Sequence, residues 1–289
     1  KLAGYREADA ALGGLGERLD DMARGVRDAV NGVLATGYPA SGPTANATSR
    51  PVAVLGASLG PQLDGPVSAT SFNVTLTNLS TGAETTTTIS FNPESQSLSD
   101  LSGQLDGVGN LNASLSTDGR LQLQADSGFG FDFAPRGGPE DPGGVLGALG
   151  FNAIFAGQGA ADLSVSSAVR QDSRLLALGQ APGAGDGRNA GKIADLAQQG
   201  LAGLGGRNPG EAFSSILSEV GDRAAGANAR LESSSTLEAS LEERRSEVSG
   251  VSLEEEVVDM LRFQRSFEVA ARYLRVVDEM SRELTGLVR

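Results

Sequence analysis

Five acidic residues in the middle of the chain could together bind a hard cation: Asp118, Asp126, Asp132, Glu140 and Asp141. Calcium needs several oxygen ligands, which proteins usually supply from a loop of fixed spacing. The spacing here matches neither an EF-hand loop nor a repeated Gly-Asp motif. We therefore expect these carboxylates to form a solvated acidic surface, and we predict no metal site.

Glu254, Glu255 and Glu256 form a second acidic group. Adjacent residues of a helix point in different directions, so three consecutive carboxylates do not converge on one ion. Negative charge is favourable at the N-terminus of a helix. The run therefore predicts the start of a helix.

Two kinds of short motif could suggest a modification or a nucleotide site. N-x-S/T tripeptides begin at Asn46, Asn73, Asn78 and Asn112, and such tripeptides arise by chance in a region rich in Thr and Ser. The glycine-rich run over 183–191 lacks the G-x-x-x-x-G-K-[ST] order of a phosphate-binding loop. We expect neither glycosylation nor nucleotide binding.

The composition closes most routes to catalysis. The 289 residues include no cysteine and no histidine, which removes thiolate nucleophiles, disulfides and the most frequent general base. The formal charge of −13 disfavours nucleic acid and anionic membranes as partners. We predict a protein that is not an enzyme and has no cofactor.

The chain has no obvious membrane or secretion signal. No apolar run reaches the roughly 18 residues of a membrane-spanning helix, and residues 1–30 lack the apolar core of a signal peptide. The protein therefore either stays inside the cell or leaves it by a route without a cleavable signal. Because the first residue is a lysine, we expect the natural N-terminus to lie upstream.

The elements that would position these residues begin with a helix predicted over 5–36, inside a first helical segment, 1–43. Apolar residues recur there at spacings of three and four, among them Leu12, Leu15 and Leu19. Glycines and prolines then end the helix.

Residues 44–165 are predicted to form a β-rich inserted domain. Alternating apolar and polar residues indicate a hairpin over 71–91 and a second hairpin around the turn Asp118-Gly119. A short helix is expected over 98–109. The alternation then continues into a further strand with three phenylalanines, Phe129, Phe131 and Phe133.

The rest of the chain is predicted to be an irregular return segment, 166–208, and a long C-terminal helical hairpin, 209–289. A helix is expected over 190–204 within the return segment. The fold class is therefore α+β: an elongated helical bundle or coiled coil with an inserted β-rich domain.

Capping patterns mark the starts of both long helices. Asn208 precedes Pro209 and is followed by Glu211, which predicts a helix N-cap. Ser252 and Glu255 form a second capping box, S-x-x-E.

The last helix carries an apolar stripe that cannot be buried by the helix itself. A core helix of a monomer would present such a stripe, but its length and C-terminal position favour burial against another molecule. Phe263 and Phe267 are the largest anchors, and Ala270 and Ala271 would permit close approach of a second helix. The predicted assembly interface is Leu253, Val257, Leu261, Phe263, Phe267, Ala270, Ala271, Leu274, Val277 and Leu284.

The segment SGVSLEEEVVDMLRFQRSFEVAARYLRVVDEM, residues 249–280, resembles the C-terminal motif of bacterial flagellar axial proteins. Within that group the chain most resembles the hook-filament junction proteins, the first hook-associated proteins. Three further stretches agree with them: residues 5–38, 185–199 and 213–221. The insert is only generically similar, and the family's N-terminal half has no counterpart here.

The resemblance implies a structural protein of the flagellum, outside the cell, that joins hook to filament and is exported without a cleavable signal peptide. It implies self-association through the terminal helix, contact with the hook protein and the second junction protein, and an export chaperone on the C-terminal helix. Another axial protein of the hook or rod, the second junction protein, or a secreted β-domain adhesin on a helical stalk are the alternatives.

Overall fold

The structure is a computed structural model that describes residues 2–183, 185–250 and 253–286. The chain divides into two compact units, residues 1–221 and 222–289, and the division falls inside a helix. Long helices and small antiparallel sheets together give the α+β class that the sequence predicts.

The first unit begins with the helix α1, Leu2–Ala35, which confirms the helix predicted over 5–36. Four short helices follow it: α2 Leu98–Asp106, α3 Val145–Ala148, α4 Ser167–Gln171 and α5 Arg188–Leu196. Three single 3₁₀ turns are Gly60–Gln62, Ser173–Leu175 and Ala202–Leu204.

One antiparallel sheet has the order β3-β2-β6. Its strands are β2 Thr70–Asn78, β3 Glu84–Phe91 and β6 Phe129–Asp132. The pairing of Thr70 with Phe91 through Thr77 with Glu84 confirms the hairpin predicted over 71–91. Phe72, Val74 and Leu76 alternate into the core as predicted, but the strand is not half-buried, because Asn73 and Thr75 on its other face are buried as well.

A second antiparallel sheet has the order β1-β5-β4. Its strands are β1 Asn46–Thr48, β4 Leu111–Leu115 and β5 Leu121–Ala125. The hairpin predicted around Asp118-Gly119 is confirmed, and Gly119 takes a positive φ of 82° that favours glycine. A two-stranded pair, β7 Phe155–Ala156 with β8 Ser164–Val165, completes the strands.

The core of the first unit lies between the two sheets and the small helices. Phe133 contacts three other rings, with centroid distances of 6.1 Å to Phe72, 5.7 Å to Phe131 and 5.3 Å to Phe151. α2 buries Leu98, Leu101 and Leu105 against the same core. Side chains from both sheets and from α2 therefore share one apolar interior.

The helix predicted over 190–204 is too long. α5 ends at Leu196, and the chain then turns through the 3₁₀ turn Ala202–Leu204. Gly205 and Gly206 adopt positive φ angles of 64° and 80°, which an α-helix does not contain. The apolar periodicity over this stretch reflects burial of Leu201 in a turn rather than a helical face.

The remaining two elements are the long helices α6, Pro209–Ser249, and α7, Leu253–Gly286. α6 begins in the first unit, where Ala212 and Ile216 are buried. The second unit consists of the rest of α6 together with α7.

Candidate assembly interface

The apolar residues of α7 are exposed. Phe263 is 81% exposed and Phe267 is 77% exposed, so two large apolar side chains face solvent. Among the other residues predicted for the interface, Ala271 is half-buried and the rest are exposed: Leu253, Val257, Leu261, Ala270, Leu274, Val277 and Leu284. An apolar row of this length is a candidate contact surface for a second helix.

The spacing of these residues defines one face of α7. Phe263, Phe267, Ala270, Leu274 and Val277 alternate spacings of four and three, which is the seam of a coiled coil. We call these five residues the seam.

Not all of the predicted interface lies on the seam. At about 100° per residue, Leu261 lies roughly 120° around the helix from Phe267, and Val257 about 80° from it. The predicted set therefore covers more than one face, so a single straight helix cannot contact all of it.

A second apolar row, which the sequence reasoning missed, lies about 110° around α7 from the seam. Val269, Tyr273, Val276 and Met280 repeat the same alternation of four and three, and all are exposed. Counting apolar residues at each heptad position, rather than following one stripe, would have found this row.

The cap predicted at the start of α6 lies within the described residues. The Glu211 N–H donates to Asn208 Oδ1 at 2.8 Å, and the Asn208 N–H donates to Glu211 Oε2 at 3.1 Å, which is a reciprocal capping box. Ser252 lies outside the described residues. Glu254, Glu255 and Glu256 occupy the first turn of α7, where the helix dipole favours their charge.

α1 is exposed at its start and anchored at its end. Tyr5 and Leu12 are exposed, whereas Leu34 and Ala35 are buried. Asn189 Nδ2 donates to the Val33 carbonyl at 3.0 Å. The last turns of α1 are therefore part of the core of the first unit.

Two polar side chains of α1, which the sequence reasoning missed, attach it to the segment around β7. Arg27 is 1% exposed; its Nη1 donates to the Gly157 carbonyl at 2.5 Å and its Nε donates to Asp28 Oδ1 at 2.7 Å. Asn31 is fully buried and hydrogen-bonds the backbone of Phe155. The sequence does contain a signal for these two residues: each is a polar residue that interrupts the apolar face of α1.

α1 also approaches two other segments through glycines. A Cβ on Gly147 would lie 2.8 Å from Gly32 Cα, and a Cβ on Gly203 would lie 2.9 Å from Gly25 Cα. Gly25 and Gly32 are seven residues apart, so they lie on the same face of α1. The missing side chains let the backbones pack in contact.

The expectation of a solvated acidic surface is wrong for Asp132, which is 3% exposed. Arg136 binds it through two nitrogens, at 2.6 Å and 2.8 Å, and also donates to Glu84 at 3.0 Å. Burial opposes the charge on Arg136, but the hydrogen bonds and charges of Asp132 and Glu84 outweigh it and raise the pKa of Arg136. Through Arg136, the Asp132 carboxylate on β6 is linked to Glu84 at the start of β3.

The expectation is also wrong for Asp141, which is 7% exposed. Its carboxylate accepts hydrogen bonds from Thr70 Oγ1 at 2.8 Å and from the N–H groups of Val145 and Leu146 at 3.2 Å and 2.7 Å. Burial raises the pKa of the Asp141 carboxyl above its ordinary value. Asp141 therefore holds the start of α3 against β2.

The other three acids of the candidate cation set are exposed, and each has a polar side-chain partner. Asp118 pairs with Arg120, Asp126 accepts a hydrogen bond from Asn112, and Glu140 pairs with Lys192. In the described part of the chain, no group of three or more acidic residues is placed to hold a metal ion.

The glycine-rich run over 183–191 is organised by Asp186. Its carboxylate accepts hydrogen bonds from the N–H groups of Gln180 at 2.9 Å and Ala181 at 3.1 Å, and from the Arg188 guanidinium at 2.7 Å. The Arg188 side chain and these N–H groups hold the pKa of Asp186 well below its usual range.

The four sequons differ in their surroundings. Asn73 is buried, and its Nδ2 donates to the Pro135 carbonyl at 3.0 Å. Asn46 and Asn112 are exposed, and Asn78 accepts hydrogen bonds within its own turn.

Within the residues that the structure describes, no helix has the length and apolar character needed to cross a bilayer.

A scan of known protein families matches residues 243–287 to the family described as flagellar basal body rod FlgEFG protein C-terminal. The matched range covers the end of α6 and all of α7. The match supports a flagellar axial structural protein. A search of curated proteins finds no match.

Proposed function

We propose that this chain is a structural protein at the junction between the flagellar hook and filament, and that it assembles by packing α7 against helices of neighbouring subunits. One observation carries the proposal. The exposed seam of α7 lies within the residues that match the flagellar family.

The free energy for this packing would come from apolar burial. Covering a side chain the size of Phe263 or Phe267 contributes roughly 1.5–3 kcal/mol. Ala270, between two larger seam residues, would let a partner helix approach closely. The second row, including Val269 and Val276, would contact a further helix about 110° around α7 from the first.

The expected partners follow from the same role. They are further copies of this chain, the hook protein and the second junction protein, with an export chaperone covering the C-terminal helix before assembly. The location would be the extracellular part of the flagellum, reached without a cleavable signal peptide.

A truncation tests the proposal. Deleting residues 251–289 removes α7 and should abolish incorporation at the hook tip, seen by immunoelectron microscopy, while the first unit keeps its thermal unfolding transition. Normal filament growth with the truncated protein would contradict the proposal.

A rod or hook protein is a second candidate, because the matched family is described as a basal body rod protein. The same labelling separates the two. Label at the boundary between hook and filament supports the junction, whereas label along the hook or in the rod supports the second candidate.

A further inference from the structure

The β3-β2-β6 sheet is covered at one edge and open at the other. On the β6 side, the Thr44 N–H donates to the Phe131 carbonyl at 2.9 Å and the Phe131 N–H donates to the Thr44 carbonyl at 2.8 Å. β3 is the other edge strand of the sheet. The two edges therefore differ in whether their outer backbone groups are bonded.

The register shows which backbone groups of β3 point outward. The Asn78 N–H donates to the Ala83 carbonyl at 2.8 Å, so bonded pairs alternate from there along the hairpin. Thr85, Thr87 and Ile89 then bond β2, and the N–H and C=O groups of Thr86, Thr88 and Ser90 point away from it. Among the described residues, none forms a backbone hydrogen bond with these outward groups.

β3 lacks the features that usually protect an open edge. Exposed edges are commonly blocked by lysine, proline or a bulge. The strand sequence ETTTTISF has none of these, and its register with β2 is continuous. Its one charge, Glu84, is paired with Arg136.

We propose that β3 is a docking edge for β3 of a second copy of this chain, in antiparallel pairing. Thr86 would pair with Thr88 of the other copy, Glu84 would pair with Ser90, and the two-fold axis would pass through Thr87. All outward backbone groups of the strand then acquire partners, and the two three-stranded sheets join into one.

Charge and side-chain chemistry favour a second copy in this orientation. Parallel in-register pairing would place Glu84 opposite Glu84, whereas the antiparallel register places it opposite Ser90. The sheet already contains a polar row in which Thr75 Oγ1 and Thr86 Oγ1 are 2.9 Å apart and Thr88 Oγ1 donates to Asn73 at 2.8 Å. Pairing Thr86 with Thr88 continues that row across the junction.

A single cysteine tests the register, because the chain contains none. In the proposed pairing Thr87 faces Thr87 as a non-hydrogen-bonded pair, with Cα atoms about 4.5 Å apart, which is within reach of a disulfide. Thr87→Cys should form a covalent dimer under mild oxidation at least ~10-fold faster than the control Thr85→Cys, which would face Ile89. Equal rates, or no dimer at Thr87, would overturn the proposal.

Charge exchange gives a second test on the full chain. In the Thr87→Cys background, adding Thr86→Lys and Thr88→Lys places lysines opposite lysines and should suppress the disulfide. Mixing that chain with one carrying Thr86→Glu and Thr88→Glu should restore it as a mixed dimer, since opposite charges then face each other. The proposed register would be wrong if the yield of mixed disulfide dimer did not exceed the yields of both homodimers while circular dichroism showed both chains to be folded.

The pairing does not involve α7, so it stands apart from the proposed junction function. Deleting residues 251–289 should leave the Thr87→Cys disulfide unchanged. If the truncated chain assembled normally in flagella yet still formed the disulfide, only the junction proposal would fail.

Discussion

Asn31 and Phe155 are joined by two hydrogen bonds: Asn31 Nδ2 donates to the Phe155 carbonyl at 2.9 Å, and the Phe155 N–H donates to Asn31 Oδ1 at 3.0 Å. The Ile154 N–H donates to the same Asn31 oxygen at 3.0 Å. One fully buried amide thus replaces the strand partner that the short β7 lacks on this side, and it joins α1 to β7.

The first prediction concerns this amide. Asn31→Ala removes the acceptor of the part-buried Ile154 and Phe155 N–H groups and the shorter of two hydrogen bonds to the Phe155 carbonyl, so the free energy of unfolding of the first unit should fall by about 2–3 kcal/mol. Urea denaturation followed by circular dichroism measures it. Glu17→Ala on the exposed part of the same helix is the control, and equal effects of the two variants would contradict a specific role for Asn31.

The second prediction concerns the contact between Gly32 and Gly147. Gly147→Ala places a methyl group 2.8 Å from the Gly32 Cα, where only backbone could yield, so we expect a loss of about 1–3 kcal/mol. Gly103→Ala, in the middle of α2 with open space around it, should instead stabilise by about 0.5–1 kcal/mol. The pair is compared by thermal unfolding, and a shift of the same sign in both would refute the close approach.

The third prediction concerns pH. Because the folded-state pKa of Asp186 is depressed, its contribution to stability is present above the unfolded pKa and is lost as pH falls through the folded value. Asp186→Asn should therefore reduce the loss of stability on acidification below about pH 4, relative to the unsubstituted protein. Denaturation at a series of pH values measures the slope, with the exposed Asp195→Asn as control. An unchanged slope in Asp186→Asn would show that the loop does not hold this carboxylate in solution.

The fourth prediction concerns the seam. Phe263→Asp with Phe267→Asp places charges where the proposed partner helix would pack, so incorporation into flagella should fall at least ~100-fold, since two lost aromatic contacts exceed about 2.7 kcal/mol. Arg275→Asp lies on a polar face with Gln264, Glu268 and Glu279, and it should incorporate normally. Quantitative immunoblotting of sheared flagella measures both variants.

A matching loss in Arg275→Asp would mean that any negative charge on α7 blocks export or assembly. The seam would then have no special role. Equal far-ultraviolet circular dichroism spectra of the two variants would exclude a difference in helix content as the cause.

The sequence by itself determined the local elements, because their signals are local. Apolar residues at spacings of three and four predicted α1, and alternation with an Asp118-Gly119 turn predicted the hairpin of β4 and β5. The apolar row of α7 was equally readable, since heptad spacing depends only on residues of one helix.

Only the tertiary structure decided which polar residues are buried. Asp132 and Asp141 resemble other surface acids in the sequence, yet Arg136 and the N-terminus of α3 compensate their burial. Arg27 and Asn31 bind segments more than a hundred residues away. The compensation of Arg27 and Asn31 has no local pattern, because folding brings their partners to them from distant parts of the chain.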